Sequence, residues 1–333
     1  MELSALNYLR GKKNLLAFSA GVDSTALFFL LIQNDIEFDI ATVNYKLRQQ
    51  SEEEVEYAKE LAKRYGKKIF IKTAPVKGPS LEEKARNIRY GFFEQIIKNE
   101  GYDNLITAHQ LNDNFEWLLM QLGKGAGAAE LVGMEPISYK NGYRVVRPLL
   151  FTTKEEILKY LDKNEIRYFT DNSNYDESFF RNYIRHNFSE KFLKEFKEGV
   201  KKSFKYLQED KKLLEKDFEI LKLNGLFLAK SPKQRHQLIR IMDRIFKELG
   251  YLLSSSQKDE MLSQKTGVVA GRFAFSIKEC IMVAPYVEWK LKKEEKELFR
   301  KLKIPKTIRP YLAKESIPID SLQTYIDKVR NCR

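Results

Sequence analysis

Asp23, Ser24 and Thr25 follow a Ser-Ala-Gly bend, which itself follows the apolar run Leu15–Phe18 in "LLAFSAGVDSTALFFL". That order is a buried strand, a small-residue turn and a helix start, so unpaired backbone N–H groups point outward at a helix N-terminus and can seat a phosphate. Ala20 and Gly21 let phosphate oxygens approach the backbone, and Val22 lies where the helix opens. Ser19, Ser24 and Thr25 add hydroxyl donors, while Asp23 can hold a metal ion or a water. Alanine at position 20 implies a negative φ there. An ordinary strand-turn-helix with a Ser/Asp cap has the same spacing, and both readings stand at this level.

A second constellation lies in "TAHQLNDNFEWLLMQLGKGAG". Asp113 and Glu116 are three apart on a helical pattern and share one face beside His109, where two carboxylates can bind an ammonium group, a metal ion or both. An acidic first helical turn facing solvent is the competing reading. Arg181 and Arg185, four apart, can clamp a phosphate or a base oxygen, or pair with Asp171 or Asp176. Arg86 and Arg89 can reach nucleotide or RNA phosphate, or form surface pairs with Glu82 or Glu83. Gly123, Gly125 and Gly127 suit a helix C-cap and turn better than a second phosphate loop, and leave Lys124 available to RNA.

The elements that must position these residues follow from periodicity. Apolar runs at 14–18, 38–43, 68–72, 104–108 and 143–147 predict strands, and amphipathic stretches at 23–33, 51–65, 81–99, 112–122 and 153–163 predict helices. Alternation of this kind is the signature of an α/β fold around a parallel sheet. Ser19, then Asn44 and Arg48, then His109 and Asp113 each stand just past a strand, at the carboxyl edge where such sheets bind ligands. The segment 168–188 reads as a structured loop leading into a helix, 189–250 as helical and Lys-rich, and 251–333 as short β-like runs mixed with basic helices. Three domains are therefore expected, 1–188, 189–250 and 251–333.

The chain has 333 residues, 43% of them hydrophobic and 12% aromatic, which indicates folded rather than disordered material. Its formal charge of +13 favours a polyanionic partner, most directly nucleic acid. Cys280 and Cys332 belong to no CxxC pair, which argues against zinc ribbons and cysteine-held clusters. No apolar run reaches membrane-span length and the N-terminus lacks a signal-peptide core, so a cytoplasmic protein without membrane contact is expected.

Family resemblance sharpens this picture. "SAGVDS" resembles the S-G-G-x-D-S loop of the ATP pyrophosphatases, with Ala20 at the usual first glycine; neither G-x-x-x-x-G-K-[ST] nor G-x-G-x-x-G occurs. "TAHQLNDNFEW" is similar to the T-A-H-H-x-D-D-Q-x-E-T motif of one branch, the tRNA(Ile)-lysidine synthetases. "VNYKLRQQS", "KARNIRYGFF", "GKGAGAAELVGM", "RPLL" and "DNSNYDESFFRNYIRH" resemble further motifs of that branch, in the right order over residues 14–188. Tyr45, Gln110, Asn112, Asn114 and Trp117 depart from its pattern.

The resemblance implies an adenine nucleotide alpha hydrolase-like domain, followed by a basic, mainly helical region and a small α+β part, both directed to tRNA. It implies ATP and Mg²⁺ as cofactors, with Asp23 as a magnesium ligand, and free L-lysine and tRNA(Ile) of CAU anticodon as partners. Adenylation of the wobble cytidine at C2 and displacement of AMP by the lysine amine would then give lysidine. Asp23, Asp113, Glu116 and Arg181 would carry the chemistry, Ser19–Ser24 and His109 would hold the nucleotide, and Arg48, Arg86, Arg89, Lys124 and Arg185 would serve tRNA or substrate. A tRNA cytidine thiolase, another ATP-pyrophosphatase ligase and a non-catalytic RNA-binding protein are the alternatives, and the oligomeric state is open, with a homodimer as one option.

Overall fold

The computed structural model describes residues 1, 3–46, 50–76, 78, 81–170, 180–215 and 219–331. The chain divides into two compact units, Met1–Lys212 and Leu213–Arg333. The first unit opens with β1 (Asn14–Ala17), α1 (Val22–Gln33), β2 (Asp39–Asn44), α2 (Gln50–Arg64), β3 (Ile69–Thr73) and α3 (Leu81–Glu100). It continues with β4 (Asn104–Ile106), α4 (Leu111–Leu122), the short α5 (Ala128–Leu131), β5 (Ile137–Lys140), β6 (Tyr143–Val146) and α6 (Lys154–Lys163).

Among the described residues these strands form a six-stranded sheet of order β3-β2-β1-β4-β6-β5, parallel except for the β5–β6 pair. The two-residue alternation of strands sorts the core. Leu16, Ile40, Ile106 and Val146 pack on one face with Leu27 and Phe28 of α1, Leu61 of α2 and Ile157 of α6. Leu15, Ala41, Leu105 and Val145 pack on the other with Phe93, Ile96 and Ile97 of α3. Each fully buried side chain of this size contributes about 1.5–3 kcal/mol. The chain runs outward from β1 to β2 and β3, then returns to place β4 on the opposite side of β1. That reversal opens a crevice at the carboxyl ends of β1 and β4, the position at which doubly wound sheets bind ligands.

β5 is absent from the strands expected above. It is an edge strand with a partly exposed face, so its short Ile-Ser-Tyr-Lys sequence carries little apolar signal. The Asn141-Gly142 turn that joins it to β6, at φ 44° and 89°, is the primed hairpin turn that Asn-Gly favours.

Beyond residues 171–179, α7 (Phe180–Ile184) runs through a wide π-type turn at Arg185–Ser189 into α8 (Glu190–Glu215). Leu193, Val200 and Phe204 of α8 pack on Leu111 and Phe115 of α4.

In the second unit β7 (Ile220–Leu223) and β8 (Leu226–Lys230) precede α9 (Arg235–Glu248) and α10 (Ser255–Gln264). β9 (Thr266–Val269), β10 (Phe273–Ile277) and β11 (Cys280–Pro285) follow, then α11 (Lys293–Lys301), α12 (Arg309–Lys314) and α13 (Ile319–Asn331). The antiparallel sheet has order β7-β8-β11-β10-β9. Its Phe227, Phe275 and Val283 face Ile245 and Phe246 of α9, whereas Leu228, Met282 and Ala284 face Phe299, Leu312 and Leu322. The helical pattern expected over 189–250 is thus interrupted by the β7–β8 hairpin, closed by a second Asn-Gly turn at Asn224-Gly225. Among the described residues no helix is long and apolar enough to cross a membrane.

Candidate active site

Helix α1 starts one residue past a bend that is tied by its own side chains. The Ser19 N–H donates to Ser24 Oγ at 3.2 Å, the two hydroxyls lie 3.2 Å apart, and Ser24 Oγ donates to the Gly21 carbonyl at 3.1 Å. Gly21 is the N-cap and makes no side-chain capping bond, so the first N–H groups of α1 keep their capacity for an anion. A Cβ on Gly21 would sit 3.4 Å from Ser19 Oγ and 3.9 Å from the Phe169 carbonyl. The Thr25 hydroxyl is buried with no hydrogen-bond partner among the described residues. Val22 buries its side chain in the core, which leaves only its backbone to face a ligand.

Ala20 corrects one expectation: its φ is +59°, in the left-handed region, not negative. The turn from β1 into α1 demands that conformation, which costs an alanine roughly 1–2 kcal/mol. The Ala20 methyl, only 1% exposed, packs in the core and offsets part of the cost. Phe169 N–H donates to the Ala20 carbonyl at 3.0 Å and so holds the bend from outside.

The N-termini of α1, α4 and α6 converge on this bend. Leu111 N–H donates to the Thr152 carbonyl at 2.9 Å and Lys154 N–H to Asn112 Oδ1 at 3.0 Å, joining α4 to α6. Lys154 Nζ then donates to Asp23 Oδ1 at 2.9 Å, joining α6 to α1. Burial raises the Asp23 carboxyl above its usual pKa; Lys154 opposes the rise and the charge of nearby Asp113 adds to it. Lys154 was missed by the sequence reading. Its signal was a cation in the first turn of a helix, against the helix dipole, which a carboxylate partner has to offset.

Asp113 does two jobs at the start of α4. Its Oδ2 accepts the Gln110 N–H at 3.1 Å in a capping box, in which Gln110 Oε1 accepts the Asn112 N–H at 2.6 Å. Its Oδ1 accepts Arg181 Nη2 at 2.7 Å. Glu116, whose side chain is 0% exposed, accepts Arg181 Nε at 2.8 Å and Arg185 Nε at 2.7 Å. The two carboxylates and two guanidiniums therefore form one cluster. Burial works against charge on both arginines, yet Asp113 and Glu116 outweigh it and raise both pKa values. The alternative partners Asp171 and Asp176 lie outside the described residues.

His109 follows β4 within the field of Asp113 and Arg181, its Nδ1 sharing a 2.9 Å hydrogen bond with the Thr107 hydroxyl. Burial lowers its pKa from 6.5 to about 4, against Asp113 and with the positive fields of Arg147, Arg181 and Arg86. The imidazole is therefore neutral at physiological pH. A histidine with a depressed folded-state pKa contributes stability that is complete above its ordinary pKa and lost as the pH falls toward the folded value. His109→Asn is accordingly expected to flatten the fall in unfolding free energy between pH 6.5 and about 4. Urea titrations of both proteins across that window check this, and parallel curves would refute it.

Of the remaining candidates, Arg86 lies 5.2 Å from the Tyr90 ring centroid and contributes to the field at His109. Arg89 acts on the hydroxyl of Tyr45, which donates to the Ala85 carbonyl at 2.9 Å. Lys124 sits in the exposed turn beyond the far end of α4, about 16 Å along the axis from Asp113 at 1.5 Å per residue, and does not join the cluster. Arg48 lies outside the described residues. Asn114 turns from the site and accepts the Met134 N–H at 2.8 Å. It meets Gly133, at φ +69°, where a Cβ would come within 2.4 Å of Asn114 Oδ1, so only glycine fits.

Comparison with known proteins places this geometry. Residues 2–192 match the PP-loop domain family. The chain is 48% identical over 320 residues to the tRNA(Ile)-lysidine synthase of Campylobacter jejuni subsp. jejuni serotype O:2, covering 95% of this chain and 97% of that protein. It is 42% identical over 315 residues to the tRNA(Ile)-lysidine synthase of Wolinella succinogenes, covering 93% and 96%. Among solved structures, a U34-tRNA thiolase from Methanococcus maripaludis, determined with its iron–sulfur cluster, aligns at a TM-score of 0.51 and 18% identity. That match covers 60% of this chain and 72% of the other, and is a likeness of fold alone. Near-complete coverage at such identity, by a chain whose first unit carries the PP-loop bend, makes it a member of the tRNA(Ile)-lysidine synthase family.

Proposed function

We propose that this chain is a ligase that joins free L-lysine to C2 of the wobble cytidine of tRNA(Ile) with CAU anticodon, consuming ATP and releasing AMP and pyrophosphate. The observation that supports it most directly is the convergence of an uncapped, small-residue helix start with the Asp113–Glu116–Arg181–Arg185 cluster at one sheet edge. In the first step the cytidine O2 attacks the α-phosphorus of ATP, and the P–O bond to pyrophosphate breaks. In the second the lysine ε-amine adds at C2, AMP leaves with the O2 oxygen, and the amine gives up a proton.

The bend at Ser19–Ser24 receives the β- and γ-phosphates, where its N–H and hydroxyl donors meet the charge that builds on the leaving pyrophosphate. A magnesium ion suits this site, where one carboxylate and the substrate phosphates would supply its ligands. Asp23 is the carboxylate in place, and among the described residues no group of three His, Cys, Asp or Glu side chains holds a metal unaided. Bound there, the ion neutralises phosphate charge. Lys154 balances Asp23 until the nucleotide enters, and neutral His109 helps to hold the nucleotide. Asp113 and Glu116 receive the lysine ammonium, with Arg181 and Arg185 directed to phosphate or the base.

The Lys-rich residues 189–250 and the part 251–333 supply contacts to the tRNA stem, in keeping with the charge of +13, in a cytoplasmic enzyme. A sulfur-transferring reading needs paired cysteines near the loop, whereas Cys280 is buried in β11 of the second unit.

Incubation of the protein with ATP, Mg²⁺, labelled lysine and tRNA(Ile) of CAU anticodon is expected to yield labelled, acid-precipitable RNA. Folded protein that releases no pyrophosphate and labels no RNA would overturn the proposal.

A further inference from the structure

A cleft on the surface of the first unit, about 530 Å³ in volume, is lined by Phe115, Leu119, Asn187, Phe188, Lys191 and Phe192. Phe115 and Phe192 stack at 5.2 Å and 27°, and Phe196 extends the column at 4.9 Å from Phe192. Phe188, edge-on to Tyr183 at 5.8 Å, also lines the cleft with 47% of its surface exposed, and Phe192 and Phe196 are 46% and 57% exposed. Such a row of open aromatic rings on a lysine-rich helix is not required by the core.

The cleft borders the ion cluster. Phe115 directly precedes Glu116 on α4, and Phe188 lies three residues past Arg185 in the π-type turn Arg185–Ser189. The wider turn rotates the residues that follow it, so Arg185 reaches Glu116 while Phe188 and Phe192 line the cleft.

We propose that this cleft takes one unstacked nucleobase of the anticodon loop, next to the reacting cytidine. Flat rings provide the stacking surface, and the Lys191 ammonium among the lining residues provides a donor to phosphate, while the Asn187 amide is held by the Tyr183 carbonyl at 3.1 Å. The partner must be anionic as well as aromatic-seeking, because Lys191 places a cation among the rings of the cleft and the chain carries a formal charge of +13. Single-stranded RNA meets both conditions. This assignment rests on the tRNA function proposed above.

The test uses the full chain and labelled anticodon stem-loops of tRNA(Ile), each with one abasic nucleotide. One abasic position is expected to weaken binding to the unaltered protein by roughly 10-fold, within the range for one base–aromatic stack. The same RNA is expected to cost Phe188→Ala nothing further, and Phe188→Trp is expected to restore the penalty. Phe188→Ala should leave the salt dependence of binding unchanged, whereas Lys191→Ala should reduce its slope by about 0.7–0.9. If Phe188→Ala keeps every abasic penalty of the unaltered protein, the cleft holds no base and the proposal falls, while lysine labelling of tRNA by that same protein would leave the enzymatic reading intact. A change in sedimentation without a change in RNA affinity would assign the cleft to a second copy of the chain and overturn the proposal. Loss of abasic sensitivity in Phe188→Ala supports it, even where lysine labelling fails.

Discussion

Replacing Asp23 with asparagine is expected to slow ATP-dependent pyrophosphate release by roughly 100-fold or more, the scale of losing one organised charge contact to a transition state. Binding of tRNA should hardly change, since Asp23 lies in the first turn of α1 and faces Lys154. The fold should survive. Asparagine occupies the same space, and Lys154, its side chain 34% exposed, can turn to water once the carboxylate is gone. Partly exposed pairs of this kind contribute about 1 kcal/mol or less.

The pH profile gives a separate check. Burial raises the Asp23 carboxyl above 3.8, so it takes up a proton more readily in the folded protein than in the unfolded chain. The stability contributed by that proton is complete below pH 3.8 and lost as the pH rises through the folded-state value. Under the proposed role activity runs the other way, because the ionised carboxylate is the form that would hold a metal ion. The acid limb of pyrophosphate release in the unaltered enzyme should therefore lie above the ordinary aspartate range. Equal loss of nucleotide chemistry and tRNA binding in Asp23→Asn would show that the bend is structural only.

Glu116→Gln is expected to cost stability as well as activity. Glu116 accepts from both arginines, and its amide counterpart would turn an N–H₂ group toward guanidinium N–H donors, with Asp113 as the remaining carboxylate of the cluster. Breaking a wholly buried ion pair costs about 3–5 kcal/mol. Arg181 keeps 36% of its side-chain surface in solvent, which lowers the expected figure to about 2–4 kcal/mol. Thermal and urea unfolding measure it directly. Transfer of lysine should drop by roughly 100-fold or more, with pyrophosphate release much less affected. Equal losses in the two half-reactions would remove Glu116 from amine handling.

The first unit was largely legible in the sequence because its signals are local. The strand-bend-helix at 14–33, the α4 start with its Asp113 carboxylate and the amphipathic pattern of α6 over 153–163 are each read from neighbouring residues. The two edge hairpins escaped periodicity, although Asn141-Gly142 and Asn224-Gly225 marked both turns. Ala20 was misjudged because residue type sets the cost of a left-handed backbone, while the surrounding turn decides whether that cost is met. The pairing of Arg181 and Arg185 with Glu116 spans more than sixty residues, and the Lys154–Asp23 bond spans 131. No window along the chain contains such partners; the sheet order brings them together.

Two anions and two cations balance at Asp113, Glu116, Arg181 and Arg185, so the quartet is electroneutral. Among the described residues, a third cation arriving there finds no unmatched anion. An amine must shed its proton before it settles, or displace a guanidinium toward an RNA phosphate. Under the second course RNA and amino acid would each strengthen the other's hold, and the same exchange would disfavour amino-acid capture in the absence of RNA.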